Sequence, residues 1–231
     1  MGAPEKGVGL MDLFQKPYRH RYLWIFIKLA VVLYIFLSSE DVRAIMFYLF
    51  RVKVSGKTIC EWAKKFPIEF ASKKIEYKED ETVILFTDEK FIRIKKDKAY
   101  WWSIKDHRGN VLANIITMKR NTASAEKLFR LAKQNIIGTV HAVVHDGLKS
   151  YNKPTKSVFG RKCRSIVAGI QGKLVMINKN LYWITNNSAE SLNAQIDNYY
   201  ARLHYNFNNL ESANYFAKMF LYRKNLRDAS C

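Results

Sequence analysis

Apolar residues run almost unbroken from Tyr22 to Leu37 (YLWIFIKLAVVLYIFL), with Lys28 as the one charge, and predict a buried helix over about 21–37. Ser39 followed by Glu40 and Asp41 reads as an N-cap with acids in the positive first turn, opening a second helix to about Phe50. After the connection RVKV, Ser55 caps a third helix to about Phe66. Its Ile59, Trp62, Ala63 and Phe66 fall on one stripe, and Lys57, Thr58, Glu61 and Lys65 on the other side. Pro67 stops that helix, and KKIEYKEDE is a charged connector.

Beyond it the period changes. Runs over about 82–87, 91–104 (in one or two pieces) and 110–117 predict strands, the last two joined by the turn DHRGN. A helix over about 124–134 and a strand ending at His145 follow. The stretch 147–186 is mixed and basic, with strands predicted near 165–170 and 173–184. Helices over about 188–203 and 210–226 close the chain, the second with Leu210, Ala213, Phe216, Ala217, Phe220 and Leu221 on one side. This order predicts an α/β layer with an antiparallel start and a parallel return. The expected organisation is a loose segment at 1–20, three helices at 21–66, a charged linker at 67–81 and the α/β domain at 82–231.

Charge changes the picture next. Thirty-nine Lys and Arg against twenty Asp and Glu give a net charge of +19, which favours an anionic partner, nucleic acid before a membrane surface. A capped helix, a short turn and a second capped helix with a basic outer face then suit a helix-turn-helix; a plain three-helix bundle is the bland alternative. The run at 22–37 is shorter than the roughly 20 residues a spanning helix needs and carries a central charge, so a buried bundle helix and no membrane partner are expected, with a membrane-associated helix as the alternative. The three cysteines, Cys60, Cys163 and Cys231, are scattered, which fits a reducing compartment and no zinc array. His141 and His145 are expected to pack or face solvent.

Between Glu126 and Glu190 the only carboxylate is Asp146, directly after the apolar run TVHAVVH. Asp88 follows TVILFT, and Glu190 opens a helix after NNS. Two carboxylates at strand ends and a third in the first turn of a helix are what divalent-metal phosphodiester chemistry asks for, because hard cations take oxygen ligands drawn from separate elements. Each acid also has a structural explanation. TDEK can be a hairpin turn, with Glu89 an alternative ligand; Asp146–Gly147 is a common turn pair; and Asn187 with Glu190 can form a capping box.

The segment TDEKFIRIKKDKAYWWSIKDHRGNVLANIITMKRNTASAEKLF resembles the opening of the catalytic domain of DDE-type transposases from small bacterial and archaeal insertion sequences. VVHDGLKSYNK resembles that family's second-aspartate segment, NNSAESLNAQI its approach to the final glutamate, and NFNNLESANYFAKMFLYRKNLR its closing helix. The resemblance implies an RNase H-like mixed sheet flanked by helices, shared with retroviral integrases, behind a small helix-turn-helix domain. It implies Asp88, Asp146 and Glu190 as catalytic residues holding Mg2+ (or Mn2+), two ions, for cleavage at element ends and transfer of the freed 3′ hydroxyl into target DNA. Lys57, Thr58, Glu61 and Lys65, with Lys119, Arg120 and Arg202 behind them, are the candidate DNA contacts. Double-stranded DNA and further copies of the chain are the expected partners, in a prokaryotic cytoplasm at the nucleoid. Two features depart from the family pattern. The interval from Asp146 to Glu190 is long, and Asp197 stands where many relatives carry a basic residue seven positions after the glutamate. The competing reading is a non-catalytic DNA-binding protein, either a regulator or an inactive copy.

Overall fold

The computed structural model describes residues 21–66, 74–202 and 207–228. The expected loose segment at 1–20 and the helix stop at Pro67 lie outside the described residues. The chain divides into two compact units, Met1–Phe70 and Ala71–Cys231.

The first unit holds α1 (Trp24–Phe36), α2 (Ser39–Phe50) and α3 (Gly56–Lys65). α1 buries Ile27, Ala30, Val31, Tyr34 and Ile35, the two-turn spacing of a core-facing stripe. The cap of α2 is Ser38, one residue earlier than the sequence pattern suggested. A capping box decides the register: the backbone N–H of Asp41 donates to Ser38 Oγ at 3.2 Å, and that of Ser38 donates to Asp41 Oδ2 at 3.3 Å. Ser55 caps α3 as expected, accepting from the N–H of Thr58 at 3.1 Å. A Cβ at Gly56 would lie 2.8 Å from Glu40 Oε1 at the start of α2, so the Glu40 side chain would have to move to admit one. No helix among the described residues is long and apolar enough to cross a membrane.

The second unit is built on a five-stranded sheet of β2 (Val83–Ile94), β3 (Asp97–Asp106), β4 (Val111–Thr117), β6 (Val140–His145) and β7 (Arg164–Val167), in the order β4-β3-β2-β6-β7. β2, β3 and β4 pair antiparallel, whereas β6 and β7 join parallel, so the antiparallel start and parallel return are both present. Four further strands complete the set among the described residues. β1 (Ile75–Glu76) lies in the presumed linker and pairs with β5 (Ile136–Ile137), and β8 (Lys173–Ile177) forms a hairpin with β9 (Asn180–Ile184) where one strand was expected.

Alternation along β2 sorts the core. Val83 and Leu85 join Leu128 and Phe129 of α4 (Thr122–Gln134) and Phe159 of α5 (Asn152–Phe159) on one face. Ile92 and Ile94 join Leu192 and Ile196 of α6 (Asn187–Arg202) and Phe216 and Phe220 of α7 (Leu210–Asp228) on the other. There Ile84 also meets Ile177 and Ile184 of the β8–β9 hairpin. A mixed sheet covered on both faces, with three helices ahead of it in the chain, is the RNase H-like α/β class expected above.

Candidate metal centre

β2 runs six residues past Asp88, so Asp88 lies inside a strand rather than at its end, and TDEK is not a hairpin turn. The hairpin to β3 sits at Lys95, which adopts a left-handed φ of 54°. What ends near Asp88 is the pairing with β6, whose last register pair is Phe86 with Val144. Asp146 stands two residues past Val144, level with Asp88, where β2 loses its parallel neighbour. Gly147, at φ 112°, turns the chain away, and the N–H of Leu148 donates to Asp146 Oδ1 at 3.1 Å. The turn reading of Asp146–Gly147 and the cluster reading therefore both hold.

Asp88, Glu89 and Asp146 each offer a carboxylate oxygen within 4.8 Å of the others. Adjacent strand residues point to opposite faces, and the contacts of the pair follow that rule. Asp88 turns toward α6, accepting from Asn193 Nδ2 at 2.8 Å on Oδ2 and from the N–H of Glu89 at 2.9 Å on Oδ1. Glu89, its side chain 2% exposed, turns toward α4 and α5 and accepts from Arg120 Nε at 2.6 Å and from Tyr151 Oη at 2.5 Å. Burial first, and then the charge of Glu89, push Asp88 up to about 6. Burial likewise raises Glu89, against the lowering pull of Tyr151 and Arg120.

His145, one residue before Asp146, is fully buried, which pushes its imidazole down. Its Nδ1 accepts from the N–H of Gly147 at 3.1 Å, leaving Nε2–H to face Ser165 Oγ at 2.8 Å. Packing thus explains His145, and His141 accepts from the N–H of Val83 at 3.1 Å.

Glu190 lies in the first turn of α6, exposed, and outside the acidic cluster. The backbone N–H of Glu190 bonds to Asn186 O at 3.1 Å, so α6 starts from Asn186 rather than from a box built on Asn187. One turn on, Asn193 reaches Asp88; helical spacing puts Glu190 on the same face. Asp197, a further turn along, pairs with Lys90 of β2.

The expected DNA contacts divide. Lys57, Glu61 and Lys65 are exposed on α3; Thr58 is half-buried, its hydroxyl 2.8 Å from Ser55 Oγ in the helix cap. Lys119 is exposed, while the Arg120 guanidinium is turned onto Glu89, where a buried carboxylate needs a countercharge. The side chain of Arg202 lies outside the described residues. Asn193 and Tyr151 were not anticipated: they meet their carboxylates across 105 and 62 residues of chain, a pairing no local pattern signals.

A family model described as a DDE domain matches residues 83–228, from the first residue of β2 to the end of α7. The chain belongs to the DDE-type transposase family. The DDE domain so delimited contains the sheet, both covering layers and all of Asp88, Glu89, Asp146 and Glu190. A chain of the simian T-cell lymphotropic virus intasome in complex with PP2A regulatory subunit B56 gamma, solved by cryo-EM, is similar at 10% identity and a TM-score of 0.41, over 85% of this chain and 64% of that one. The chain thus spans less than two thirds of that matched chain. No curated protein matches it in sequence.

The donor set of the DDE domain fits a hard divalent cation. It offers three carboxylates converging from two strands, and beside them Asn193 Oδ1, buried and without a hydrogen-bond partner. It offers no thiolate, and the nearest imidazole is committed to Gly147 and Ser165.

Proposed function

We propose that this chain is a transposase that cuts DNA at insertion-sequence ends and transfers the freed 3′ hydroxyl into target DNA. The observation that carries the reading is the convergence of Asp88, Glu89 and Asp146 at the point where β2 outruns β6, inside a DDE domain. Asp88, Asp146 and Glu190 are the proposed ligands of two Mg2+ or Mn2+ ions, with Glu190 reaching in from the α6 face that already carries Asn193. Bound cations supply charge neutralisation at the attacked phosphate and a more acidic nucleophile.

The chain's own groups then have distinct tasks. Asn193 holds one oxygen of Asp88, leaving Oδ1 to the N–H of Glu89 and to a cation. Arg120 and Tyr151 hold Glu89 against the sheet, which fixes the local path of β2 beside Asp88. In the first reaction a water oxygen forms a bond to phosphorus and the bond to the 3′ oxygen breaks, leaving a 3′ hydroxyl and a 5′ phosphate. In the second, that hydroxyl forms a phosphodiester with target DNA and a target 3′ hydroxyl leaves. One P–O bond forms and one breaks each time, so no external energy source is needed.

The helices of the first unit are proposed as a helix-turn-helix with α3 toward DNA, supported by its exposed Lys57, Glu61 and Lys65. The test is a cleavage and joining assay with DNA bearing the element's own ends, Mg2+ or Mn2+, and an Asp146→Ala control. Metal-dependent products that vanish in the control carry the proposal. Equal DNA binding by both proteins with no cutting by either would leave a non-catalytic DNA-binding protein.

A further inference from the structure

Between Asp146 and Glu190 the chain carries eight Lys and Arg residues and no Asp or Glu. Five of the eight line one feature, a cavity of about 520 Å³ between α5 and the start of β7: Lys153, Lys156, Arg161, Lys162 and Arg164. All five are exposed, and no salt bridge among the described residues engages them.

Local structure keeps these charges together. Lys153 and Lys156 lie one turn apart on α5, hence on one side of it. Gly160, at φ 100°, reverses the chain, and the N–H of Cys163 closes the turn on Gly160 O at 3.0 Å. Phe159 and Cys163 sink into the core on either side of that turn, which leaves Arg161 and Lys162 outside, facing the groove. Arg164 is tied to the carbonyl of Met176 in β8 and so forms a fixed rim. Five cations held at this density repel one another, and no carboxylate among the described residues pairs with them. A polyanion would.

We propose that this α5–β7 groove is a sequence-independent binding surface for the phosphate backbone of duplex DNA. The proposal rests on the transposase reading for the identity of the polyanion. At the groove floor Ser165 Oγ donates to Asn152 Oδ1 at 2.8 Å and faces the buried His145 Nε2, which ties the start of β7 to α5 and β6. Parallel pairing sets Arg164 level with Ala142, four residues before Asp146, so Arg161 and Lys162 lie toward the opposite end of β6 from the carboxylates. The groove offers mobile cationic heads rather than fixed forks aimed at base edges, so it holds backbone and reads no sequence. Target DNA, which strand transfer must engage apart from the element ends, is the fitting occupant.

The test compares two full-length variants that each lose four positive charges. One is K153Q/K156Q/R161Q/K162Q in the groove; the matched control is R93Q/K95Q/K96Q/K98Q around the β2–β3 turn, also exposed. Fluorescence anisotropy with a duplex of arbitrary sequence in EDTA reads affinity and its salt slope between about 50 and 200 mM, with each phosphate contact contributing about 0.9 to the slope. The groove variant is expected to lose about 3 in slope and at least ~10-fold in affinity at the lower salt, the control far less. Equal losses in the two variants, or none in the groove variant, would overturn the groove. So would loss of binding to phosphatidylserine vesicles with DNA affinity intact, which would assign it to a membrane surface. Wild-type cleavage of element ends is read in parallel. Cleavage that persists while the groove variant binds like wild type refutes the groove alone, and a groove effect without any cleavage refutes the transposase reading alone.

Discussion

Asn193 of α6 donates from Nδ2 to Oδ2 of Asp88 on β2 at 2.8 Å, joining residues 105 positions apart. This contact brings the helix that carries Glu190 against the strand that carries the first aspartate. A hydrogen bond to a charged acceptor contributes about 1.5–3 kcal/mol when both partners are well placed. It also opposes the upward push on the Asp88 carboxyl.

Asn193→Ala is therefore expected to weaken metal use more than folding. The half-saturating Mg2+ concentration for cleavage should rise about tenfold, equivalent to about 1.4 kcal/mol, with the thermal melt in EDTA nearly unchanged. A metal titration of cleavage decides it. An unaltered titration with lowered melting temperature would mean that Asn193 serves packing only.

Asp88 itself should make the metal-free protein dependent on pH. Its folded pKa of about 6 stands above the ordinary 3.8 because of burial and then the charge of Glu89. The folded state thus holds a proton that the unfolded chain releases sooner. The stabilising contribution is full below about pH 4 and is lost as pH rises through about 6. A shift of this size is worth roughly 1–3 kcal/mol for a partly screened group. Denaturation in EDTA from pH 4 to 7 should show wild type losing stability relative to Asp88→Asn, which keeps the side-chain shape without the charge. Mg2+ at pH 7 should then restore wild type and leave the variant unmoved; parallel pH curves for the two proteins would refute the assignment.

Arg120 separates a structural role from a DNA contact. Glu89 is 2% exposed at its side chain, and removing the countercharge from such a carboxylate costs about 2–4 kcal/mol. Arg120→Ala should lower the melting temperature clearly, and adding Glu89→Gln should recover much of the loss because no buried charge is left unpaired. Salt-dependent DNA affinity should barely change. If Arg120→Ala instead weakens DNA binding while the melt is unaffected, the guanidinium belongs to the DNA surface after all.

These features differ in how far the sequence disclosed them. α1, α3, α4, β4, β6 and the closing helices follow from periodicity and capping residues, and Asp146 stands out because no other acid lies within a long basic stretch. Two turns stayed hidden for one reason, which is that side-chain-bearing residues occupy left-handed positions usually given to glycine. Lys95 ends β2 at φ 54°, and Asn178 and Lys179 split the β8–β9 hairpin at 47° and 65°. Without a glycine to mark it, the β2–β3 turn was sought at TDEK, and β8 and β9 were read as one strand. α5 escaped because it is a single short helix, NKPTKSVF, with Pro154 in its first turn, where the missing N–H costs nothing. At the site, Asp146 is legible from the strand that ends just before it and Asp88 from the apolar run ahead of it, although β2 continues past Asp88. Asn193, Tyr151 and Arg120 are not, because their partners are brought close only by the sheet.

The family departure at Asp197 has a local counterpart. Asp197 pairs with Lys90, two residues after Asp88 on the strand face that meets α6. A cation is thus present at this point of the fold, supplied by the strand instead of the helix, and Asp197 orients it. The pair is partly open, with side chains 26% and 57% exposed, so its contribution to stability is small, about 0.2–1 kcal/mol. Asp197→Lys should set two like charges against each other and reduce cleavage by about tenfold while leaving the melt within a few degrees. The exchange K90D/D197K puts the cation on the helix and the acid on the strand, and should recover most of the activity. A double-mutant cycle on cleavage rate reads this directly as a coupling term. Recovery would mean that the site needs one cation at this position from either element. An exchange variant no better than Asp197→Lys alone would mean that Lys90 acts from the strand itself, against the phosphate chain beside Asp88.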